Sequence, residues 1–233
     1  MTIIEVPDGW PADEETAQAV QEELRARLVV AEEGPGVGEG NVTGVDVAYD
    51  DARDLVAAAA VVLDGRTLEV VEEATAVGRV SFPYVPGLLA FREVPTVLAA
   101  LGRLAARPGL LVCDGYGLAH PRRFGLASHL GVLTGLPSVG VAKNPFTFTY
   151  AQPGEARGEF GDLVADGETV GRALRTRAGV KPVFVSVGHR VSLDRACAHT
   201  LHLSPRYRLP ETTRHADALC RRALGEALST NTE

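Results

Sequence analysis

The sequence predicts an α/β fold built on a mixed central sheet flanked by helices. Three observations carry this. Strand-like runs follow one another at residues 42–49, 55–63 and 68–77, with the hairpin signal Asp64-Gly65 between the last two, as in an antiparallel meander. Apolar strands at 109–113 and 138–142 then flank a helical pattern at 123–133, and a strand–helix–strand order implies parallel pairing. The 233 residues are 45% apolar, enough for one large core or two small ones, and they show no internal repeat or clean linker.

The first element is a helix over residues 11–30, where Ala17, Val20, Leu24 and Leu28 recur at spacings of three and four. The glycine-rich acidic segment 32–40 reads as a connector. After the meander comes a helix over 87–106, which Pro95 is expected to kink or divide. Residues 150–167 are rich in glycine and acids and read as a long loop or ribbon, and 183–187 as a further strand. Ser192 can cap a helix through about residue 203, and Thr212 or Thr213 another through 228.

Several classes are excluded. The longest apolar run, 55–63, is too short to span a bilayer. The N-terminus carries acids and a proline where a secretory signal has a basic region and an apolar core. Cys113, Cys197 and Cys220 have neither zinc-site nor disulfide spacing, so reduced thiols in a cytoplasmic protein are expected. Residues 1–40 hold ten acids and two arginines, a net of −8 against −7 for the whole chain, so the rest carries +1. Between residues 110 and 150 one acid, Asp114, faces Arg122, Arg123 and Lys143, a local field that suits a polyanion better than the total does.

Asp46 sits inside an apolar strand, where a carboxylate is costly unless it reaches solvent, pairs or binds a metal. Asp114 ends another strand. If the first and fourth strands are neighbours, the two carboxylates approach within about one strand spacing, roughly 4.8 Å, and form a hard oxygen site for Mg²⁺ or Mn²⁺. Glu93, two turns into a helix, is either solvated or a third carboxylate of that site. Pro83 and Pro86 bracket Tyr84 and Val85 in a stiff turn that either buries its tyrosine or presents it as a wedge between stacked bases. His120 is a loop histidine or a phosphate donor, and Arg122 and Arg123 are surface residues or phosphate ligands. Lys143 ends a strand at the edge that holds Asp114, where it can neutralise a phosphate. His129 reads as structural, and His189 stays ambiguous.

Gly44-Val45-Asp46-Val47, Pro83-Tyr84-Val85-Pro86-Gly87, Phe91-Arg92-Glu93, Asp114-Gly115, Ala119-His120-Pro121-Arg122-Arg123, Val141-Ala142-Lys143, Gly188-His189-Arg190 and Tyr207-Arg208-Leu209-Pro210-Glu211 together resemble the endonuclease V family. Their order and spacing over residues 42–218 make the resemblance specific. It implies a ribonuclease H-like fold, with the first three strands antiparallel, the rest parallel, and the first and fourth adjacent. It implies that residues 1–233 form a single domain, with the helix and acidic connector at 1–40 and the catalytic core at 41–229. It implies Mg²⁺ on Asp46 and Asp114 with Glu93 completing the cluster, and Lys143 and His120 near the phosphate. Tyr84 would take the place of a displaced base, and Gly87, Leu89, Gly115 and Leu126 would line a pocket for flipped hypoxanthine. The implied reaction cuts the second phosphodiester bond 3′ to a deaminated base in DNA, leaving a 3′-hydroxyl and a 5′-phosphate. Two departures stand out. Tyr116 replaces the histidine of the usual Asp-Gly-His-Gly, so that ring's role is not carried over. Pro210-Glu211-Thr212-Thr213-Arg214 replaces Pro-Glu-Pro-Thr-Arg, and Asp217 follows at a position that is acidic or histidine in relatives. The expected protein is a monomer acting on DNA. The alternatives are inosine-containing RNA as substrate, a weakly catalytic nucleic-acid-binding module, and a small-molecule phosphohydrolase.

Overall fold

Every residue from Leu55 to Leu63 is buried, so this strand must be covered on both faces. In the computed structural model, which describes residues 6–230, it is β2 (Leu55–Asp64). Ala58, Ala60 and Val62 pack with Val94, Val97 and Leu98 of helix α2 (Ala90–Leu101). Ala59, Val61 and Leu63 pack with Ala216 and Leu219 of helix α5 (Glu211–Thr230). The alternation of small side chains thus fills two cores, one on each side of the sheet.

The sheet, among the described residues, has nine strands in the order β3-β2-β1-β4-β5-β9-β8-β7-β6. β1 (Asn41–Asp50) is antiparallel to β2, and β2 to β3 (Val70–Arg79). β4 (Leu110–Cys113) is parallel to β1, with Val45 opposite Cys113, and β5 (Ser138–Ala142) is parallel to β4. Helix α3 (Leu126–Thr134) makes the crossover. Strands one to five are therefore ordered and oriented as the ribonuclease H-like expectation requires.

The rest of the sheet departs from it. β9 (Val183–His189) runs antiparallel to β5, and the segment read as a loop contains β6 (Thr149–Tyr150) and β7 (Phe160–Ala165). β7 is joined to β8 (Glu168–Leu174) by Asp166-Gly167, both at positive φ as a two-residue hairpin turn requires. By contrast, Asp64-Gly65 opens a longer turn. The Asp64 carboxylate accepts from the backbone N–H of Arg66 and Thr67, and the next strand starts only at Val70.

Helix boundaries differ for identifiable reasons. α1 (Glu14–Arg25) is shorter than the periodic pattern and is capped by Asp13, whose side chain accepts from Thr16 N. Pro95 does not divide α2. The Phe91 carbonyl, which a residue-95 N–H would otherwise engage, accepts from the Trp10 indole at 3.1 Å. α3 starts three residues late because Arg123 sits at φ 55°. α4 (Leu193–His202) begins at the predicted Ser192 cap. Neither Thr212 nor Thr213 caps α5, since both are buried in its first turn, with Thr213 donating to the Pro210 carbonyl. No helix among the described residues is long and apolar enough to cross a membrane.

Gly44 shows how closely α5 sits on β1, because a Cβ there would lie 2.1 Å from the Thr212 carbonyl oxygen. Gly44→Ala should therefore cost about 1–3 kcal/mol, as overpacking does. Gly225→Ala, in the same helix facing open space, should gain up to about 1 kcal/mol from helix propensity. Urea denaturation midpoints moving in opposite directions would verify both.

Candidate active site

Side-chain alternation along β1 and β4 decides where the carboxylates point. Val45 and Cys113 face the α2 side, so the residues that follow them, Asp46 within β1 and Asp114 just past the end of β4, turn towards α5 on adjacent parallel strands. Asp46 accepts from Val47 N at 2.8 Å. Burial, then the neighbouring Asp114, pushes its pKa up to about 7. Glu93 approaches from the other side, in the first turn of α2. It is buried, its Oε1 accepts from the Tyr49 hydroxyl at 3.1 Å, and burial raises its pKa to about 8. Asp217 on α5 adds to the field that raises Asp46, and is itself held by Arg221 at 2.9 Å.

Lys143, just past β5, is ion-paired with Asp114. Burial works against its charge, but Asp114, Asp46 and Asp217 outweigh it and raise its pKa. Arg208 fixes the backbone beneath it, donating to the carbonyls of Lys143, Lys181 and Pro182. Among the described residues no three His, Cys, Asp or Glu side chains stand close enough to hold a metal ion as they are placed. Each carboxylate is instead turned to its own partner, Asp46 to Val47 N, Glu93 to Tyr49 and Asp114 to Lys143. The donor set is nonetheless all oxygen. Its two raised pKa values mark anionic charge that a nearby cation would relieve.

A cleft of about 280 Å³ opens beside these groups. Gly87, Leu89, Gly115 and Leu126 all line it, together with Tyr84, Val85 and Pro86 of the rigid turn, and Glu93 and Asp114 reach it from the carboxylate side. The turn is rooted by buried Phe82, with Val85 packed against the cluster containing Phe82 and Phe91, while Tyr84 is 70% exposed. The buried reading of that tyrosine is therefore wrong. The opposite wall is built by close backbone approach. Gly125 N donates to Gly117 O and Ala127 N to Tyr116 O, and a Cβ on Gly125 would lie 2.3 Å from the Tyr116 carbonyl oxygen.

His120 also lines the cleft. Burial, then the charge of Arg122, lowers its pKa to about 4, so the ring is neutral at pH 7. Its Nδ1 accepts from Arg122 N at 3.2 Å, which leaves the proton on Nε2. Arg122 and Arg123 lie outside the cleft lining. Arg122 is exposed, and Arg123 pairs with Asp166 at 2.8 Å and donates to Ala165 O, clamping the β7–β8 hairpin. His129 is fully buried between Phe91 and Phe124. His189 accepts from Val29 N at 3.2 Å, tying down the segment after α1.

Sequence reasoning missed three residues here. Tyr49 holds Glu93, and its place on the α2 side follows from strand alternation. Gln21, 1% exposed, donates from one amide nitrogen to Gly87 O and Phe124 O and so bridges the two walls of the cleft. A polar residue inside an apolar helical stripe was its only signal. Phe146 lines the cleft and stacks on Tyr116, in a segment the sequence left unassigned.

The endonuclease V family model matches residues 22–218, more than four fifths of the chain. The chain belongs to the endonuclease V family. Endonuclease V of Streptomyces avermitilis is 73% identical over 227 residues, covering 97% of this chain and 99% of the relative. A crystal structure of endonuclease V from that organism superposes with a TM-score of 0.93 at 72% identity, over 97% of this chain and 100% of that one. A more distant endonuclease V, from Ciona intestinalis, was crystallised with a 24mer DNA containing an inosine followed by a ribo-adenosine. It is 27% identical, with a TM-score of 0.79 over 92% of this chain and 100% of its own.

Asp46 and Glu93 take up protons on folding, because their pKa values rise from the ordinary 3.8 and 4.5 to about 7 and about 8. Their contribution is most favourable at and below the ordinary carboxylate values and is lost as pH rises through the folded ones. In chelator, Asp46→Asn and Glu93→Gln should each raise Tm, more at pH 8 than at pH 5. Thermal melts at the two pH values test this, and a gain at pH 5 as large as at pH 8 would contradict it.

Proposed function

We propose that this protein hydrolyses a nucleic-acid phosphodiester near a deaminated base, chiefly deoxyinosine in DNA, and cuts the second bond 3′ to the lesion. One observation carries the reading. A glycine-lined cleft large enough for a base joins an exposed, proline-braced tyrosine to buried Glu93 and half-buried Asp114. The Ciona relative's inosine-containing DNA is consistent with it.

The reading gives each side chain a task. Tyr84, held out by Pro83 and Pro86, enters the base stack and fills the place of the extruded base. Deaminated bases pair weakly and cost less to extrude, which contributes selectivity. The glycines at 87 and 115 let backbone groups approach the hypoxanthine edge. Asp46 and Asp114 would hold Mg²⁺, or Mn²⁺ in its place, with Glu93 and Asp217 at the margin. When bound, the cation supplies Lewis-acid polarisation of the phosphate and a more acidic water. Lys143, kept protonated by three carboxylates, neutralises charge on the phosphate. His120, whose Nε2 proton faces the Gly87 backbone, would turn that donor to a phosphate oxygen in the cleft. The products are a 3′-hydroxyl and a 5′-phosphate. Arg122, exposed beside this path, contacts phosphate from outside the cleft, whereas Arg123 acts through the hairpin it clamps. Inosine in RNA is the second reading, favoured by the ribonucleotide after the inosine in the Ciona complex.

Cleavage of matched strands bearing deoxyinosine, riboinosine, uracil or no lesion, with Mg²⁺ and with chelator, tests the function directly. Deoxyinosine cut fastest and only with the cation is the expected result, and equal cutting of the lesion-free strand would refute it. Asp46→Asn should reduce nicking to background while leaving lesion binding largely intact, and should remove the Mg²⁺-dependent rise in Tm that the wild type shows. Tyr84→Ala should weaken binding of inosine DNA about tenfold, the effect of losing one stacking contact, with little change in Tm.

A further inference from the structure

Tyr116 is the position at which this chain departs from its family's usual histidine, and the structure gives the ring a definite task. Its hydroxyl donates to the Asn144 carbonyl, and its face stacks on Phe146, with ring centroids 5.8 Å apart and planes 17° from parallel. The edge contact of Phe148 on Tyr116 continues into Phe184 and Tyr150, so Tyr116 is backed by a packed aromatic cluster. Phe146 is the outermost ring of this series. It is 46% exposed, one face lies on Tyr116, and it lines the same cleft as Tyr84. A large apolar ring left at a polar surface gains nothing from water. An aromatic face supported from behind is what strand-binding proteins use to stack a base of any sequence.

We infer that Phe146, positioned by Tyr116, is a stacking platform for the nucleobase immediately 3′ of the flipped lesion. The polarity follows from the chain. Phe146 stacks on Tyr116, two residues beyond Asp114, and its centroid is 6.3 Å from that of the His120 ring, so it stands on the Asp114 side of the cleft. A strand with its lesion in the pocket and its cut site at the carboxylates passes its 3′ neighbour between them. This deepens the function proposed above and rests on it. Tyr84 then supports the duplex where the base has left, and Phe146 supports the strand where it continues to the cut.

The test is a cycle of binding measurements on the full chain carrying Asp46→Asn, so that DNA is not cut. Duplexes carry one deoxyinosine and either a normal nucleotide or an abasic site immediately 3′ or 5′ of it. Phe146→Leu keeps apolar bulk but removes the ring face, and should weaken binding to the normal duplex about tenfold. It should cause no further loss when the 3′ neighbour is abasic, and an undiminished loss when the 5′ neighbour is abasic. Phe146→Tyr should restore binding to within about twofold, and Tyr116→Phe, losing only the bond to Asn144, should weaken it about threefold. Equal effects of Phe146→Leu on the normal and 3′-abasic duplexes, or coupling to the 5′ neighbour instead, would overturn the platform while leaving the proposed function standing. Failure of the parent protein to prefer inosine DNA over lesion-free DNA would overturn both.

Discussion

The parallel pairing of β1 with β4 is the constraint on which the rest of the site depends. Its register sets Val45 beside Cys113, so the next residues, two aspartates, stand side by side on the same face. Burial alone makes a charge at Asp46 costly. Together, beneath α5 and beside Glu93, the two aspartates concentrate negative charge where water is scarce, and the raised pKa values of Asp46 and Glu93 express that cost. Surrounding groups offset part of it. Lys143 pairs with Asp114, Arg221 holds Asp217, and the Tyr49 hydroxyl donates to Glu93. Lys143 compensates Asp46 only in part, and Asp46 accepts a hydrogen bond from the adjacent backbone N–H. The fold thus holds a centre that favours a proton or a cation, as sites that bind hard metal ions through carboxylates do.

The cleft depends on a different principle, which is backbone approach. Its walls come from two segments far apart in sequence, the turn at 82–88 and the loops at 115–117 and 120–126. Gln21 ties them together from below with one amide group, donating to a carbonyl of each. α1 is therefore part of the architecture of the cleft, although none of its residues lines it. The aromatic contacts Trp10–Phe91 and Phe82–Phe91 anchor the turn to α2, the helix that carries Glu93. The turn that presents Tyr84 and the helix that presents Glu93 therefore share one hydrophobic base, which couples their positions by packing.

The meander, the β4–α3–β5 crossover and the Ser192 cap were legible because each rests on local chemistry, such as apolar runs, helical spacing or a capping side chain. The register between β1 and β4 is non-local, and it was reached only as a condition and through family resemblance. The 150–167 segment was left between loop and ribbon, with its strands unassigned, because they lack apolar alternation, although Asp166-Gly167 carries the signal that was used, with a less regular outcome, at Asp64-Gly65. Among site residues, the carboxylates, Lys143 and the proline-braced tyrosine stood out as residue types in unusual places. Tyr49, Gln21, Arg208 and Phe146 did not, because each acts on a partner far away in sequence. The ion pair of Arg123 was not legible for the same reason, since nothing in its neighbourhood announces that Asp166 will come to meet it.

Tyr116 shows how a departure from a family pattern can be absorbed. Its ring cannot serve as an imidazole would, because its hydroxyl is occupied by the Asn144 carbonyl, and burial with the charge of Asp114 makes it a poor proton donor. The substitution has value only if the position holds something in place. What it holds is the segment after Lys143, the residue that neutralises Asp114. Arg208 fixes the Lys143 carbonyl from one side, and Tyr116 fixes the Asn144 carbonyl from the other. Two successive peptide units are thereby pinned by side chains from different parts of the chain. A long, flexible lysine gains precision from a rigid backbone, since every rotamer removed from its stem narrows the positions its ammonium reaches. The tyrosine thus acts by anchoring a neighbour, and Lys143 stays positioned against Asp114.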